Sequence, residues 1–418
     1  MVSWRDLLGA ICVPSGRVGT ISPSSSLRLV YVRATVFCLL TARSMLLLSK
    51  RGYTLAVTKN GYASAWPLRV DIEMIGMPNS KLLTIAVPAY NAASYLHTCL
   101  DSLVRSGDEV EVLVVNDGSK DGTLQVARDY AERYPGIVVA VDQENRNWGG
   151  AVNHALELAS GTFFYIVDSD DWLDSAKLTE VVSRLRMLEE QQAGVDLYMV
   201  NYVYNRVENG DRHTISYEKL LPSDKVVGWD AMSNPSLDQY IMIHSAIYRT
   251  SVVRESGLVL PEGMSYMDSL LMLKPLRFVK KLYYHDCDLY WYTIGREGQS
   301  IDPSVLKRHI ADQIHATHLA IDGFDYEKLQ AISPRLAGCS MRYLSAMLTV
   351  SSIHLFQINT PESIEDNKKL WRYLRQSDPV LCRKLRFTLA GLVNRKTALG
   401  RWAAKCGYGI AANLFKFA

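Results

Sequence analysis

Phe163-Phe164-Tyr165-Ile166-Val167-Asp168-Ser169-Asp170-Asp171-Trp172 runs from an apolar stretch straight into three carboxylates. Residues 163–167 predict a buried strand whose end carries Asp168 and Asp170 to the rim of a sheet. Two positions apart on an extended backbone, the two side chains point the same way. Like charges held that close repel unless a cation lies between them. A hard divalent ion resolves the repulsion, because Mg²⁺ and Mn²⁺ take a few carboxylates together with substrate phosphates. The plainer alternative is an Asp-rich turn in which Asp170 or Asp171 caps the next helix.

Upstream, strand and helix alternate. Thr84-Ile85-Ala86-Val87 predicts a short strand stopped by Pro88, followed by Leu96, Cys99, Leu100 and Leu103 at helical spacing. Residues 110–115 predict a second strand, Leu124, Ala127, Ala131 and Tyr134 a second helix, and residues 137–141 a third strand. A third helix over 151–159, closed by Gly161, leads into the strand at 163–167. Such alternation with short connections predicts the α/β class: a mostly parallel sheet flanked by helices, with ligands at the carboxyl ends of its strands. Further strands are expected at 197–203, 282–284 and 289–293, and only helices beyond Pro303.

Three more strand ends carry polar loops. Pro88-Ala89-Tyr90-Asn91 follows the first strand, and Asn91 can turn the chain. After the second, in Asn116-Asp117-Gly118-Ser119-Lys120-Asp121-Gly122-Thr123, Gly118 permits close backbone approach and Asp117 suits a base N–H or ribose hydroxyl. Asn145-Arg146-Asn147-Trp148-Gly149-Gly150, after the third, is a glycine-containing loop before a helix start, where a phosphate can be held. Taken singly, each is also readable as an ordinary turn.

The chain has 418 residues, 48% of them hydrophobic and 21% charged, enough for two domains with an ample core. A net charge of +3 gives no sign of a polyanionic partner, and no nucleic acid is expected. Seven scattered cysteines without a CxxC pair argue against zinc and a disulfide framework and suggest a reducing cytoplasm. The apolar stretch 27–48 is broken by Arg28, Arg33 and Arg43, so no membrane span is expected.

Residues 1–76, rich in Arg and Ser and poor in acids, read as an irregular extension. A natural start at Met77 or Met74 is expected, so that a chain begun at Met77 folds and keeps its activity. Residues 77–302 form the main domain and 303–418 a helical region. Its end, 382–418, has no acid and interleaves Arg383, Lys384, Arg386, Arg395, Lys396, Arg401, Lys405 and Lys416 with apolar residues. That pattern reads as a helix pair lying on an anionic bilayer, the plainer alternative being a solvated basic face packed on the domain.

Together, Val87-Pro88-Ala89-Tyr90-Asn91, Val114-Val115-Asn116-Asp117-Gly118-Ser119, the segment 145–156 and Val167-Asp168-Ser169-Asp170-Asp171-Trp172 resemble, in order and spacing, the family-2 glycosyltransferases of GT-A fold. His244-Ser245-Ala246-Ile247-Tyr248-Arg249, Tyr266-Met267-Asp268, and Tyr290-Trp291-Tyr292 with Gly295-Arg296-Glu297-Gly298-Gln299-Ser300 resemble the second half of its bacterial surface-polysaccharide members. The resemblance covers about residues 80–302. It implies a Rossmann-like GT-A domain and a divalent metal with a nucleotide-sugar, from UDP or dTDP, as co-substrate. Pro88, Tyr90 and Asn91 would border the base, and Asp117 would recognise uracil or thymine. Ala89, Gly118, Ser119, Asn145, Asn153 and Ser169 fall among the donor-binding positions. Asp168 would lie by the ribose and diphosphate and share the metal with Asp170, its main ligand. Asp268 takes the place of the catalytic base, and Arg296, near Gln299 and Ser300, sits where a loop closes on the diphosphate or acceptor. Arg146-Asn147 replaces the family's common Gly-Gly, and Val152 a common Arg, so a phosphate contact there is weakened.

The implied reaction is an inverting displacement onto a lipid-linked saccharide or cell-envelope precursor, at the inner face of the cell membrane. A sugar-phosphate nucleotidyltransferase would need a glycine-rich basic loop where Pro88-Ala89-Tyr90-Asn91 stands. An Asp-nucleophile phosphatase would want Thr or Val where Trp172 stands, and an NAD enzyme a GxGxxG after the first strand. A non-catalytic binder of nucleotide-sugar or glycan would not need Asp268.

Overall fold

The computed structural model describes residues 56–59, 62–65, 81–207, 209–233, 241–295, 299 and 303–394. The chain forms two compact units, Met1–Pro78 and Asn79–Ala418. In the first, β1 (Ala56–Lys59) pairs antiparallel with β2 (Tyr62–Ala65). The remainder of the expected 1–76 extension lies outside the described residues.

The second unit opens with β3 (Leu83–Ala89), α1 (Leu96–Leu103), β4 (Val110–Asp117), α2 (Thr123–Arg133), β5 (Val138–Gln143), α3 (Asn147–Leu158) and β6 (Phe163–Ile166). β3 and β4 are buried along their whole length, the burial expected of parallel strands covered on both faces. Next come β7 (Trp172–Leu173), α4 (Ser175–Glu190), β8 (Leu197–Arg206), β9 (Arg212–Ile215), β10 (Val226–Val227), β11 (Ala246–Arg249), α5 (Thr250–Glu255), α6 (Asp268–Leu276) and β12 (Leu282–Ile294). α4 is capped by Asp174, which accepts from the amides of Ala176 and Lys177, so neither Asp170 nor Asp171 is needed there.

One sheet runs β10-β12-β8-β11-β6-β3-β4-β5, with β7 on β12 and β9 on β8. β3, β4, β5 and β6 are parallel, and β12 is parallel to β8. β11 is antiparallel to both β6 and β8, so those two share a direction. The carboxyl ends of β3, β4, β5, β6 and β12 therefore lie along one sheet edge, together with the amino end of β11.

Four expectations are corrected. β3 continues through Pro88 to Ala89, because its pairing with β6 ends at Ala86 and a missing N–H there costs no ladder bond on that side. α3 starts at Asn147, so Gly149 and Gly150 are buried in a helix and do not form a phosphate loop. The two strands expected at 282–284 and 289–293 are one, β12, broken by irregularities between Tyr284 and Tyr290. Asp168 and Asp170 lie past β6 in a turn closed from the Asp171 amide to the Asp168 carbonyl, so alternation along a strand does not align them.

Helices complete the unit: α7 (Pro303–Arg308), α8 (Ile310–Asp322), α9 (Tyr326–Ile332), α10 (Pro334–Ile358), α11 (Pro361–Ser377), α12 (Pro379–Leu385) and α13 (Leu389–Val393). Ser333, Thr360 and Asp378 cap α10, α11 and α12, each ahead of a proline in the first turn. Among the described residues no helix is long and apolar enough to cross a membrane. α10 packs on α8, α9, α11 and α13 and reaches α6, whose first residue is Asp268.

Candidate active site

The loops along that sheet edge are tied to each other by their own polar groups. Asn91, left-handed at φ 48°, accepts the Lys120 amide on Oδ1 at 2.8 Å and donates its own amide to Ser119 Oγ at 3.0 Å. Asp117 is 3% exposed, and its Oδ1 accepts from Gln143 Nε2 at 2.7 Å and the Arg146 amide at 2.8 Å. Gln143 is braced in turn by His154 at 2.7 Å. At Gly118 (φ 68°) a Cβ would meet the Asn145 amide nitrogen at 2.8 Å, so glycine there lets two loops close on each other. Tyr90 stays half-exposed over this edge, beside Ala89 and Pro88 at the end of β3.

The acidic turn after β6 is held more firmly. Trp148, in the first turn of α3, donates its indole N–H to Asp168 Oδ1 at 3.0 Å. The Tyr290 hydroxyl donates to Asp171 Oδ2 at 2.6 Å and receives the Asp168 amide at 3.2 Å. The Thr293 amide binds Asp171 Oδ1 at 2.8 Å. Gln299 bridges the Thr293 carbonyl at 2.6 Å and Asp170 Oδ2 at 3.4 Å. Ser169, between Asp168 and Asp170 in sequence, is buried.

Oxygens of Asp168 and Asp171 and a ring nitrogen of His244 all lie within 4.8 Å of one another. His244 sits just before β11, its ring centroid 4.5 Å from that of Tyr290 and 4.7 Å from that of Tyr292. Burial pushes its pKa down to about 3, so the imidazole is neutral. Its Nδ1 is buried with no hydrogen-bond partner among the described residues. Burial first, then the charge of Asp170, raises Asp168 to about 7, and the charge of Asp268 adds to that. Asp171 is raised still more clearly by burial and by Asp170 and Asp168. Three carboxylates are thus gathered with a neutral imidazole, a donor set that suits a divalent cation.

Asp268 stands at the start of α6, half-buried and near enough for its charge to raise Asp168, and burial lifts it above the ordinary carboxylate range. Met267 occupies the N-cap position, and the backbone amides of Ser269 and of Asp268 itself bond the Asp268 carboxylate, which holds the rise down. The loop leading to it is fixed to α3. Asn153 donates to the Leu260 carbonyl at 2.8 Å and accepts the Leu260 amide at 2.9 Å, which commits both ends of an amide expected at the donor. Gly149 leaves room for the Pro261 carbonyl, which a Cβ would meet at 2.5 Å. Asn145 keeps to its own turn, accepting the Asn147 amide at 3.3 Å. Arg296 and Ser300 lie outside the described residues.

Sequence reasoning missed Trp148, Gln143 and Tyr290 as supports. A tryptophan at a helix start carries no such signal by itself, and Tyr290 reaches the acids only through sheet pairing.

The model of glycosyl transferase family 2 matches residues 84–248. The chain is 27% identical over 228 residues to the putative glycosyltransferase EpsH of Bacillus subtilis (strain 168), covering 51% of this chain and 60% of EpsH. It is 27% identical over 224 residues to the poly(ribitol-phosphate) beta-N-acetylglucosaminyltransferase TarS of Staphylococcus aureus (strain Mu50 / ATCC 700699), covering 52% of this chain and 36% of TarS. The match thus spans about three-fifths of EpsH and about a third of TarS. The crystal structure of S. aureus TarS 1-349 superposes with a TM-score of 0.53 at 20% identity, over 79% of this chain and 92% of that one. The matched segment holds three polar strand-end loops and the acidic turn, and residues 84–248 form a glycosyl transferase family 2 segment within a unit of GT-A fold.

Proposed function

We propose that this chain is an inverting, metal-dependent glycosyltransferase. It would move a sugar from a nucleotide donor, a UDP-sugar first, to a hydroxyl of a lipid-linked saccharide or cell-envelope polymer precursor. The observation that carries the reading is the grouping of acids: Asp168 and Asp170 on the turn after β6, with Asp268, on a different element, near enough for its charge to raise Asp168. A displacement at an anomeric carbon needs charge control on the leaving side and a base on the attacking side. TarS has been crystallised in complex with UDP-GlcNAc, with a TM-score of 0.52 to this chain, which supports a uridine donor.

The acids fit a cation in a layered way. Asp171 is 1% exposed with both oxygens hydrogen-bonded, and His244 is 4% exposed. A phosphate must reach the ion, so the half-buried Asp168 and Asp170 are the ligands we assign, with Asp171 and His244 as the layer behind. Bound there, a divalent cation supplies Lewis-acid stabilisation of the leaving diphosphate. Asp117 and Tyr90 would hold the base, and Asn91 and Ser119 keep their loop in shape. Asp268 takes the proton of the acceptor hydroxyl, whose oxygen bonds to the anomeric carbon as the bond to the diphosphate breaks on the opposite face. That single displacement inverts the centre.

For the membrane reading, residues 395–418 lie outside the described ones. Within 382–394, Phe387 is 92% exposed and Leu389 and Leu392 are exposed beside Arg383, Lys384 and Arg386, a combination suited to an anionic lipid surface. Screening nucleotide-sugar turnover across donors with and without Mn²⁺ tests the function. Turnover of none, in either condition, would remove it.

A further inference from the structure

We propose that Tyr266 is an acceptor-binding residue, its ring and hydroxyl receiving the saccharide whose hydroxyl Asp268 deprotonates. This rests on the reading of Asp268 as the base. The starting observation is backbone conformation. Tyr266 has φ 64°, in the left-handed region that a bulky side chain enters at a steric cost. A turn alone does not call for tyrosine. Gly257 and Gly263, on the same approach to α6, take φ 62° and 72° as glycines with nothing near a would-be Cβ. Strain of this kind persists only where the surroundings enforce it, and it gathers at functional sites.

The surroundings do enforce it. On one side the Gly263 amide is held by the Arg146 carbonyl at 2.9 Å. On the other, the Ser265 amide is held by Asp312 Oδ2 at 3.2 Å, from the first turn of α8. Directly past both anchors the phenol is half-buried, two residues before the base. Burial, then the charges of Asp312 and Asp268, push its pKa up to about 12 against the opposing Arg308, so the hydroxyl keeps its proton at neutral pH. A phenol near two carboxylates has the chemistry of a saccharide subsite. The ring offers an apolar face for sugar C–H groups, the hydroxyl donates or accepts, and the carboxylates accept sugar hydroxyls.

The test compares the full-length chain with Tyr266→Gly, Tyr266→Asn and Tyr266→Phe. Melting temperature, Mn²⁺-dependent UDP affinity, donor hydrolysis by water and transfer to p-nitrophenyl hexosides and hexosaminides are measured for each. Gly and Asn relieve the strain, so both variants should melt no lower than wild type. UDP affinity and hydrolysis should be unchanged, while the acceptor KM rises by about tenfold or more, with a smaller rise for Phe. An unchanged acceptor KM in the Gly and Asn variants overturns the proposal. So does a wild-type enzyme whose hydrolysis none of the glycosides alters, as acceptor or as competitor of water. Asp268→Asn separates the two ideas: full transfer in that variant removes the base reading, whatever Tyr266 does.

Discussion

As the proposed base, Asp268 would act only when ionised, and burial raises its pKa above the usual carboxylate value of about 3.9. The sign follows directly. As pH falls through the raised pKa the base gains its proton, so kcat/KM should fall on the acid side at a pH above that of an ordinary aspartate. Asp268→Asn should lower transfer by about 10²-fold or more while leaving Mn²⁺-dependent nucleotide binding intact. A pH profile of the wild type and single-turnover rates of the variant check this pair of expectations. Asp168 carries the complementary effect. With its pKa at about 7, it holds a proton below neutrality that a cation must displace, so Mn²⁺ affinity should weaken as pH drops through that value. Calorimetric titration of Mn²⁺ between pH 6 and 8, about one unit either side, measures it.

At the scale of elements, the loop carrying Asp268 depends on α3. Asn153→Ala would leave the amide and carbonyl of the buried Leu260 without partners, at a cost of about 2 kcal/mol or more. Gly149→Ala would drive a Cβ into the Pro261 carbonyl and displace the same segment. Both variants should lose melting temperature and kcat together, with nucleotide affinity nearly kept. Weakened nucleotide binding at full kcat would instead place Asn153 at the donor. The loops after β3, β4 and β6 were legible because their strands are apolar runs with polar ends. β7, β9, β10 and β11 were not, since two to four residues give no period to read. β12 read as two strands because His285-Asp286-Cys287-Asp288 interrupts its apolar pattern where the pairing shifts. The association of Asp171 with Tyr290 and His244 is set by pairing across β6, β11, β8 and β12, which no local spacing reports.

For the molecule as a whole, Asn79–Ala418 holds the entire ten-stranded sheet and every helix described. A chain begun at Met77 is therefore expected to fold and turn over donor, and loss of soluble protein on that truncation would contradict it. Exposed Phe387 predicts that Phe387→Glu weakens sedimentation with phosphatidylserine vesicles while donor hydrolysis in solution is unchanged. Composition announced the basic tail, whereas its apolar partners became visible as exposed only in the folded unit. Central to the proposed function is a cation that Asp168 and Asp170 would hold against a nucleotide diphosphate. Calorimetry of UDP with the wild type and Asp170→Asn, each with Mn²⁺ and with EDTA, tests it most directly. The expected result is tight binding only for the wild type with Mn²⁺, and equal affinity in all four titrations would contradict it.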